Sequence, residues 1–366
     1  MIELIGNMHI HTPYSDGEKW HEEVARDAAR AGLDFIIVTD HNVWVHGVEG
    51  YYEFEEGRVL LMTGEEVHDV RRRPQANHFL VYGAEKEMSP YAEDPQRLIN
   101  ATQKAGGCGF LAHPYERALP IFPDGGDLGW RNWEVEGYTG LEIWNYMSSF
   151  KNEVSRRLEQ LPFQNGLLAK LSAARMAFHP ERYISGPEPE VLEKWDELLA
   201  TGQRVTAVGN SDAHGWPMSM GPVQRTIFPY EFLFRAVNTH VLVRDELNGD
   251  VEHDKALILN AIGKGNSWVG YDMPHPTKGF RFSGKGVNKG IIGDEIKLDA
   301  GATLQALAPA RANIRLIHHG EVVAEVKNEE NVTHTPVEPG AYRAECTIQY
   351  EGAERGWIYS NPIYLK

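Results

Sequence analysis

The sequence predicts an α/β fold: a seven-stranded β/α barrel followed by a small C-terminal antiparallel β-sandwich. Three observations lead there. Over the first two-thirds, apolar β-rich runs alternate with helix-like segments, the pattern of a parallel sheet. Six of the seven runs carry a His, Asp or Glu with ligand chemistry at or just past their C-terminal end. A barrel gathers all such ends on one face, whereas an open sheet gathers residues only at its switch point. From about Gly279 the alternation stops, and short alternating segments separated by turns take over.

In order, the runs are ELIGNMHIH, LDFIIVTDH, RVLLMTGEEV, NHFLVYG, GGCGFLAHP, GLEIWN and RVTAVGNSDAH. NHFLVYG is the exception, because its His78 stands at its start. Between the first two runs, Gly17–Gly32 sets Trp20, Val24, Ala28 and Ala31 at helical spacing and ends on a helix-stopping glycine. Asp94–Gly107 and Glu188–Gly202 read as further helices, and His253–Gly265 as a closing one. The chain from Pro114 to Ser211 is less regular. There PIFPDGGDLGW is a turn-rich loop, KNEVSRRLEQLPFQNGLLAKLSAARMAF reads as helix, and the region is a candidate lid. Gly and Pro near Pro274–Gly290 mark a linker, giving predicted domains 1–278 and 279–366.

Composition narrows the function. The 366 residues are 42% hydrophobic and 24% charged, as in an ordinary globular protein. A formal charge of −16 disfavours a broad phosphate-tracking surface, so nucleic acid is not an expected partner. No apolar run approaches the ~18 residues of a membrane span. Met1 leads straight into a strand-like pattern without a basic leader, which makes a cytoplasmic location the expectation. Cys108 and Cys346 are too few and too far apart for a disulfide framework.

The first run carries His9 and His11, which point to one face of an extended chain. Asp16 follows in the next loop, His41 ends the second run, and Glu66 follows the third. His78 opens the fourth run, His113 closes the fifth, and Asp212 and His214 end the seventh. Singly, each is an ordinary packed or solvated residue. Together they are nitrogen and oxygen donors aimed at one face, with no thiolate among them. A single catalytic zinc needs about three protein ligands, so this set suits two or three ions. Imidazole plus carboxylate ligation fits manganese, iron or zinc.

Five ordered motifs, HIHTPYSDG, VTDHN, GEEV…NHFLVYG, LAHPY and GNSDAHG, resemble those of the PHP (polymerase and histidinol phosphatase) superfamily. The resemblance spans roughly Met1 to Gly270. It implies a distorted (β/α)7 barrel with two or three divalent metal ions at the strand ends. Carried over motif by motif, one ion would take His9, His11, Glu66 and Asp212. A second would share Glu66 and take His78 and His113, and a third would take Asp16, His41 and His214. The family's hydrolysis would use a hydroxide bridging the ions, with Asp16, His41, Glu66, Asp212 and His214 as the catalytic set. Its Gly-any-Glu pattern selects Glu66 over Glu65, and Asp40 is then a partner of ligands, not a ligand. The tail, with IIGDEIKLDAG, IRLIHHGEVV, PGAYRAE and WIYSNPIYL, looks like the β-sandwich of the carbaryl-hydrolase-like branch.

Substrate-facing candidates are Arg71 in the RRR run, Arg117, Arg225 and Tyr14. Tyr115, Trp216, Trp44 and His46 are candidates for an aromatic wall or for plain loop packing. Glu142 and Asn145 either orient ligands, touch substrate or simply end a strand. His318 and His319 read as solvated. The expected activity is a metal-dependent phosphoesterase acting on a small phosphomonoester or phosphodiester. A carbamate, ester or amide hydrolase on the same centre is the alternative, and a non-catalytic metal-binding barrel a third reading. A small-molecule substrate, expected to be phosphorylated, is the expected partner, with homo-oligomerisation through the sandwich left open.

Overall fold

The computed structural model describes residues 1–119, 126–160, 167–220 and 223–366; the side chains of 167–170, 218–220 and 223–225 lie outside the description. All seven predicted runs form strands. In chain order the strands are β1 (Ile2–Asn7), β2 (Phe35–Val38), β3 (Gly50–Phe54), β4 (Gly57–Val67), β5 (Phe79–Tyr82) and β6 (Cys108–Leu111). Next come β7 (Gly140–Asn145), β8 (Thr206–Asn210), β9 (Trp216–Met220), β10 (Val223–Ile227), β11 (Val237–Val243) and β12 (Ser267–Tyr271). Helices α1 (His21–Ala31), α2 (Pro95–Lys104), α3 (Tyr146–Glu159), α4 (Leu167–Phe178), α5 (Pro189–Ala200), α6 (Tyr230–Phe234) and α7 (Val251–Lys264) lie among them. The stops follow the expected chemistry: Gly32 and Gly265 cap α1 and α7 in the left-handed conformation, at φ 83° and 72°.

Strands β1, β2 and β4 pair in parallel, as do β6, β7 and β8. β5 departs from the all-parallel expectation and runs antiparallel to both β4 and β6. The physical reason is the connection: residues 68–78 hold no helix, and a parallel return needs a longer, usually helical, crossover. The reversal explains His78. In a reversed strand the N-terminal end lies beside the C-terminal ends of its neighbours, so a residue that opens β5 joins residues that close β4 and β6. A parallel bridge between Ile10 and Ala213 links the segments leaving β1 and β8, with His11 N donating to Ala213 O at 2.9 Å. β11 and β12, which the sequence pattern does not announce, extend the sheet antiparallel from β1.

Alternation along β2 splits the core. Phe35 and Ile37 pack with Leu4, Leu60, Met62, Leu80, Phe110 and Ile258 of α7. Ile36 and Val38 pack with Val24 and Ala28 of α1, Val59 and Leu61. Period-two side chains thus serve two apolar layers, which is why these strands read as continuous apolar runs.

The tail is joined to this sheet without a break in pairing. It contains β13 (Arg281–Lys285), β14 (Lys289–Ile291), β15 (Glu295–Ile296), β16 (Thr303–His318), β17 (Glu321–His334), β18 (Gly340–Tyr350), β19 (Ala353–Ser360) and β20 (Ile363–Leu365). β19 pairs antiparallel with β12, matching Trp268 to Ser360. Trp268 and Leu242 belong to the same apolar cluster as Phe282, Ile314, Leu316 and Trp357. Buried Arg343 of β18 donates to both carboxylate oxygens of Asp196 on α5, at 2.7 and 2.6 Å. The expectation that His318 is solvated fails: it is buried, its ring lies 4.0 Å from that of Tyr342 at 4°, and its Nδ1 is 3.0 Å from Ala341 O. It ends β16, and the ring of Tyr342 on β18 that stacks on it was invisible in sequence. Among the described residues, no helix is long and apolar enough to cross a membrane.

Candidate metal centre

The chain leaving β1 stays extended. Met8 and Ile10 are fully buried in the two apolar layers, and His9 and His11 both reach Glu66 and Asp212. Met8 N donates to Asn210 Oδ1 at 2.9 Å and Ile10 N to Thr39 Oγ1 at 3.1 Å, which fixes this segment between β8 and β2. The Asp40 carboxylate is bonded to the loop after β1. It accepts from Thr12 N, Thr12 Oγ1 and Ser15 Oγ at 2.7, 2.6 and 2.7 Å, and so holds the loop that carries Asp16. Glu65 faces away from the cluster and accepts from the backbone of Met88 and Ser89; burial pushes its carboxyl up to about 7.

Glu66 is the hub. Its Oε2 lies 3.0 Å from His9 Nε2, 3.2 Å from His11 Nε2 and 3.2 Å from His41 Nδ1. Its Oε1 lies 2.8 Å from His78 Nδ1 and 3.0 Å from His113 Nε2. Asp212 Oδ1 stands 3.3 Å from His9 Nε2 and 3.1 Å from His11 Nε2. Asp16 Oδ1 stands 3.3 Å from His214 Nε2, 3.7 Å from His11 Nδ1 and 3.8 Å from His41 Nε2. The nine expected donors are therefore all brought together. They divide into three groups whose ligand atoms lie within 4.8 Å of one another: His9, His11, Glu66 and Asp212; Glu66, His78 and His113; His11, Asp16, His41 and His214. His11 belongs to two groups, where the sequence reading gave it to one.

The donor set fits divalent cations on an independent observation. His11 Nε2, His41 Nδ1, His78 Nε2, His113 Nδ1 and Asp212 Oδ1 are buried without a hydrogen-bond partner. Buried polar atoms are normally satisfied, so a concentration of orphans at one place asks for a missing partner. The electrostatics agree. Burial alone would raise the Glu66 and Asp212 carboxyls, yet the surrounding imidazoles hold both well below the usual range. Burial opposes charge on His11 and His113, but Asp212 and Glu66 beside His11, and Glu116 and Glu66 beside His113, push them up to about 10 and about 9. Protons retained on imidazoles by carboxylates are what a bound cation replaces.

Two neighbours, His68 and Glu116, escaped the sequence reading, and two that it named, Glu142 and Asn145, touch ligand residues. His68, two residues beyond Glu66 on the same extended face, stacks on His78 at 4.3 Å and 8° and meets His41 edge-on at 4.9 Å. Buried Glu116 lies 3.7 Å from His113 Nδ1 and accepts from Ser148 Oγ and Lys151 Nζ. The i, i+2 spacing from Glu66 and the i, i+3 spacing from His113 were the available signals. Glu142 does orient ligands: Oε1 is 3.0 Å from His9 Nδ1 and Oε2 accepts from His113 N at 2.9 Å. Asn145 donates to Glu142 Oε2 and Asp212 Oδ2 at 3.0 and 3.2 Å.

The substrate-facing candidates are more dispersed. Exposed Arg71 pairs with Glu93 at 2.8 Å, and Arg117 pairs with Glu190 at 3.0 Å. Arg117 lines a cleft with Arg156, Tyr183 and Glu188, none of them in the three donor groups. Tyr14 and Trp216 are 53% and 49% exposed on the segments that carry Asp16 and His214, and the Trp216 ring lies 5.7 Å from that of His214. Trp44 is buried, and Tyr115 packs against Trp133. Arg225 lies on β10, and its side chain is outside the described residues.

No relative of curated function matches the chain. The solved structures similar to the chain include these two. One is a two-domain protein containing a predicted PHP-like metal-dependent phosphoesterase from Bacteroides vulgatus, with 15% identity, TM-score 0.37, and 99% of this chain and 95% of that chain covered. The other is a candidate metal-dependent phosphoesterase from Bifidobacterium adolescentis, with 14% identity, TM-score 0.32, and 61% and 92% covered. The family model of the PHP domain matches residues 7–112, the stretch that supplies His9, His11, Asp16, His41, Glu66 and His78.

Proposed function

We propose that the chain is a metal-dependent hydrolase of small phosphoric esters, working at two or three divalent ions held by the Glu66 cluster. One observation carries the reading: the two oxygens of a single buried carboxylate each serve a separate set of imidazoles. A carboxylate divided in this way suits a pair of cations, the usual arrangement for phosphoryl hydrolysis. Bound there, the ions would acidify water and neutralise charge on the ester oxygens. The chain's own part is placement. Glu66 and Asp212 hold the buried end, while Asp16, 57% exposed at its side chain, with His41 and His214 faces the side from which substrate arrives. In this reading residues 1–278 form a distorted seven-stranded barrel closed through the Ile10–Ala213 bridge, and residues 279–366 brace it.

A specific observation favours a second reading, hydrolysis of a carbon ester or carbamate. Arg71 and Arg117 are tied to carboxylates, while exposed aromatic Tyr14 and Trp216 flank the cluster. An apolar leaving group would use such a rim, and a phosphate would not. Manganese-loaded protein is to be assayed on nitrophenyl phosphate, a bis-nitrophenyl phosphate and a nitrophenyl carboxylic or carbamic ester, with Asp212→Ala as control. Phosphoester turnover lost in the control supports the first reading. Turnover of the carbon ester alone replaces it with the second.

A further inference from the structure

Glu142 is buried at the end of β7, outside all three donor groups. Its carboxylate accepts from every hydrogen-bond partner it has among the described residues. Oε1 faces His9 Nδ1 at 3.0 Å and accepts from Asn210 Nδ2 at 3.0 Å. Oε2 accepts from His113 N at 2.9 Å and from Asn145 Nδ2 at 3.0 Å. The contact with His113 N matters because His113 has φ 27°, a conformation that a non-glycine residue holds only when its surroundings enforce it. One carboxylate thus sets the ring of His9, which belongs to the first donor group, and the backbone of His113, which belongs to the second. The third group, His11, Asp16, His41 and His214, makes no contact with Glu142 among the described residues.

We propose that Glu142 is a positioning residue that couples the two donor groups sharing Glu66, so that they fill or empty together while the third group does not follow. The proposal rests on the metal-centre reading above. Its physical basis is that a histidine presenting Nε2 to a cation needs its Nδ1–H held, and a carboxylate does this best. With the proton fixed on Nδ1, His9 Nε2 is a lone pair directed at Glu66 and Asp212. Chemistry also dictates which replacements fail. All four partners donate, so the NH2 of a glutamine would face donors and leave at least one unsatisfied. Glu142→Gln, isosteric and usually the mild change, is therefore expected to behave like Glu142→Ala.

The test is metal binding, not turnover. Wild type, Glu142→Gln, Glu142→Ala and Asp16→Ala are titrated with Mn2+, and ions per chain are counted after dialysis. In both Glu142 variants the affinity at the two Glu66 groups is expected to fall about 10- to 100-fold together. The ion lost in Asp16→Ala is the one they retain, and its retention reports a folded chain. Equal binding by wild type and Glu142→Gln overturns the proposal, as does uniform loss of every ion from a variant that keeps its circular dichroism. Should the variants fail to fold, imidazole nitrogen NMR of the wild type decides: His9 protonated on Nδ1 supports the proposal, and the opposite tautomer ends it. Wild type that binds metal without hydrolysing any ester disproves the proposed activity and leaves this inference standing. Wild type that binds no metal removes both.

Discussion

Two clusters of buried histidine and carboxylate occupy this sheet, and they differ in one respect. In the first, around Glu66, five polar atoms have no hydrogen-bond partner. In the second, His240 of β11 sits between Glu3 of β1 and Asp272 beyond β12. Its Nδ1 is 3.0 Å from Glu3 Oε1, and its Nε2 is 3.1 Å from Asp272 Oδ2 and 2.8 Å from Thr277 Oγ1. Glu3 also accepts from Gly279 N and Arg281 Nη1, at the start of the tail. Both clusters centre on buried histidine and both contain charge. Only the second is closed on itself. Composition and burial alone would rank them alike; saturation of their hydrogen bonds separates a fastening from a site that waits for a ligand.

The contrast can be broken experimentally, and the strongest blow is to the hub. Glu66→Ala is expected to drop metal-dependent hydrolysis to background and to remove the ions of both groups that share it. Metal analysis alongside a rate assay checks this, and an active variant would deny that the orphaned atoms belong to a working centre. Next comes stabilisation by the ions. A cation held only by the folded state at a hundredfold its dissociation constant adds about 2.7 kcal/mol. Mn2+ should therefore raise the melting temperature of chelator-treated protein. The rise should shrink from pH 8 to pH 6, because His11 and His113 hold protons that the ion must displace. A pH-independent rise would place the ion elsewhere.

A further test bears on the closed cluster. Burial opposes charge on His240, but Asp272 and Glu3 push it up to about 9. A raised histidine pKa stabilises the fold fully below the unfolded value near 6.5, and that contribution is lost as pH rises through about 9. Its size is on the order of 3 kcal/mol. Asp272, held down to about 2, works in the other direction: its contribution is present above the ordinary value and disappears as pH falls through about 2. Urea unfolding at pH 6 and pH 10 should show the alkaline loss in wild type and much less of it in His240→Gln, with manganese content unchanged. Equal loss in both would mean that the cluster does not carry the pH dependence.

Much of this was legible in the sequence. The strands that carry ligands announce themselves because a polar donor at the end of an apolar run is costly unless used. His9 and His11, and Asp212 and His214, could be grouped by two-residue spacing alone. The direction of β5 could not be read, because it is decided by the helix-free connection 68–78 and not by the strand. β11 was hidden for the opposite reason: VNTHVLV has an apolar frame, but its histidine points to the closed cluster at the start of β1. Glu116 and His68 were missed because their only signals, i, i+3 from His113 and i, i+2 from Glu66, lie past the ends of the motifs. Arg71 and Arg117 show the converse limit. A cation near a motif in sequence finds its nearest carboxylate, and here those are Glu93 and Glu190.

The pairing of β12 with β19 also sets a schedule for the growing polypeptide. β12 ends at Tyr271, and its partner begins at Ala353, so the ribosome adds roughly 80 residues between them. At ~5–20 residues per second that is about 4–16 s during which the outer rim of β12 is bare. An unpaired rim is a template for another chain. The late arrival of β19 then covers that rim, and a chain halted after residue 278 is expected to collect in inclusion bodies even though it holds every donor of the metal centre.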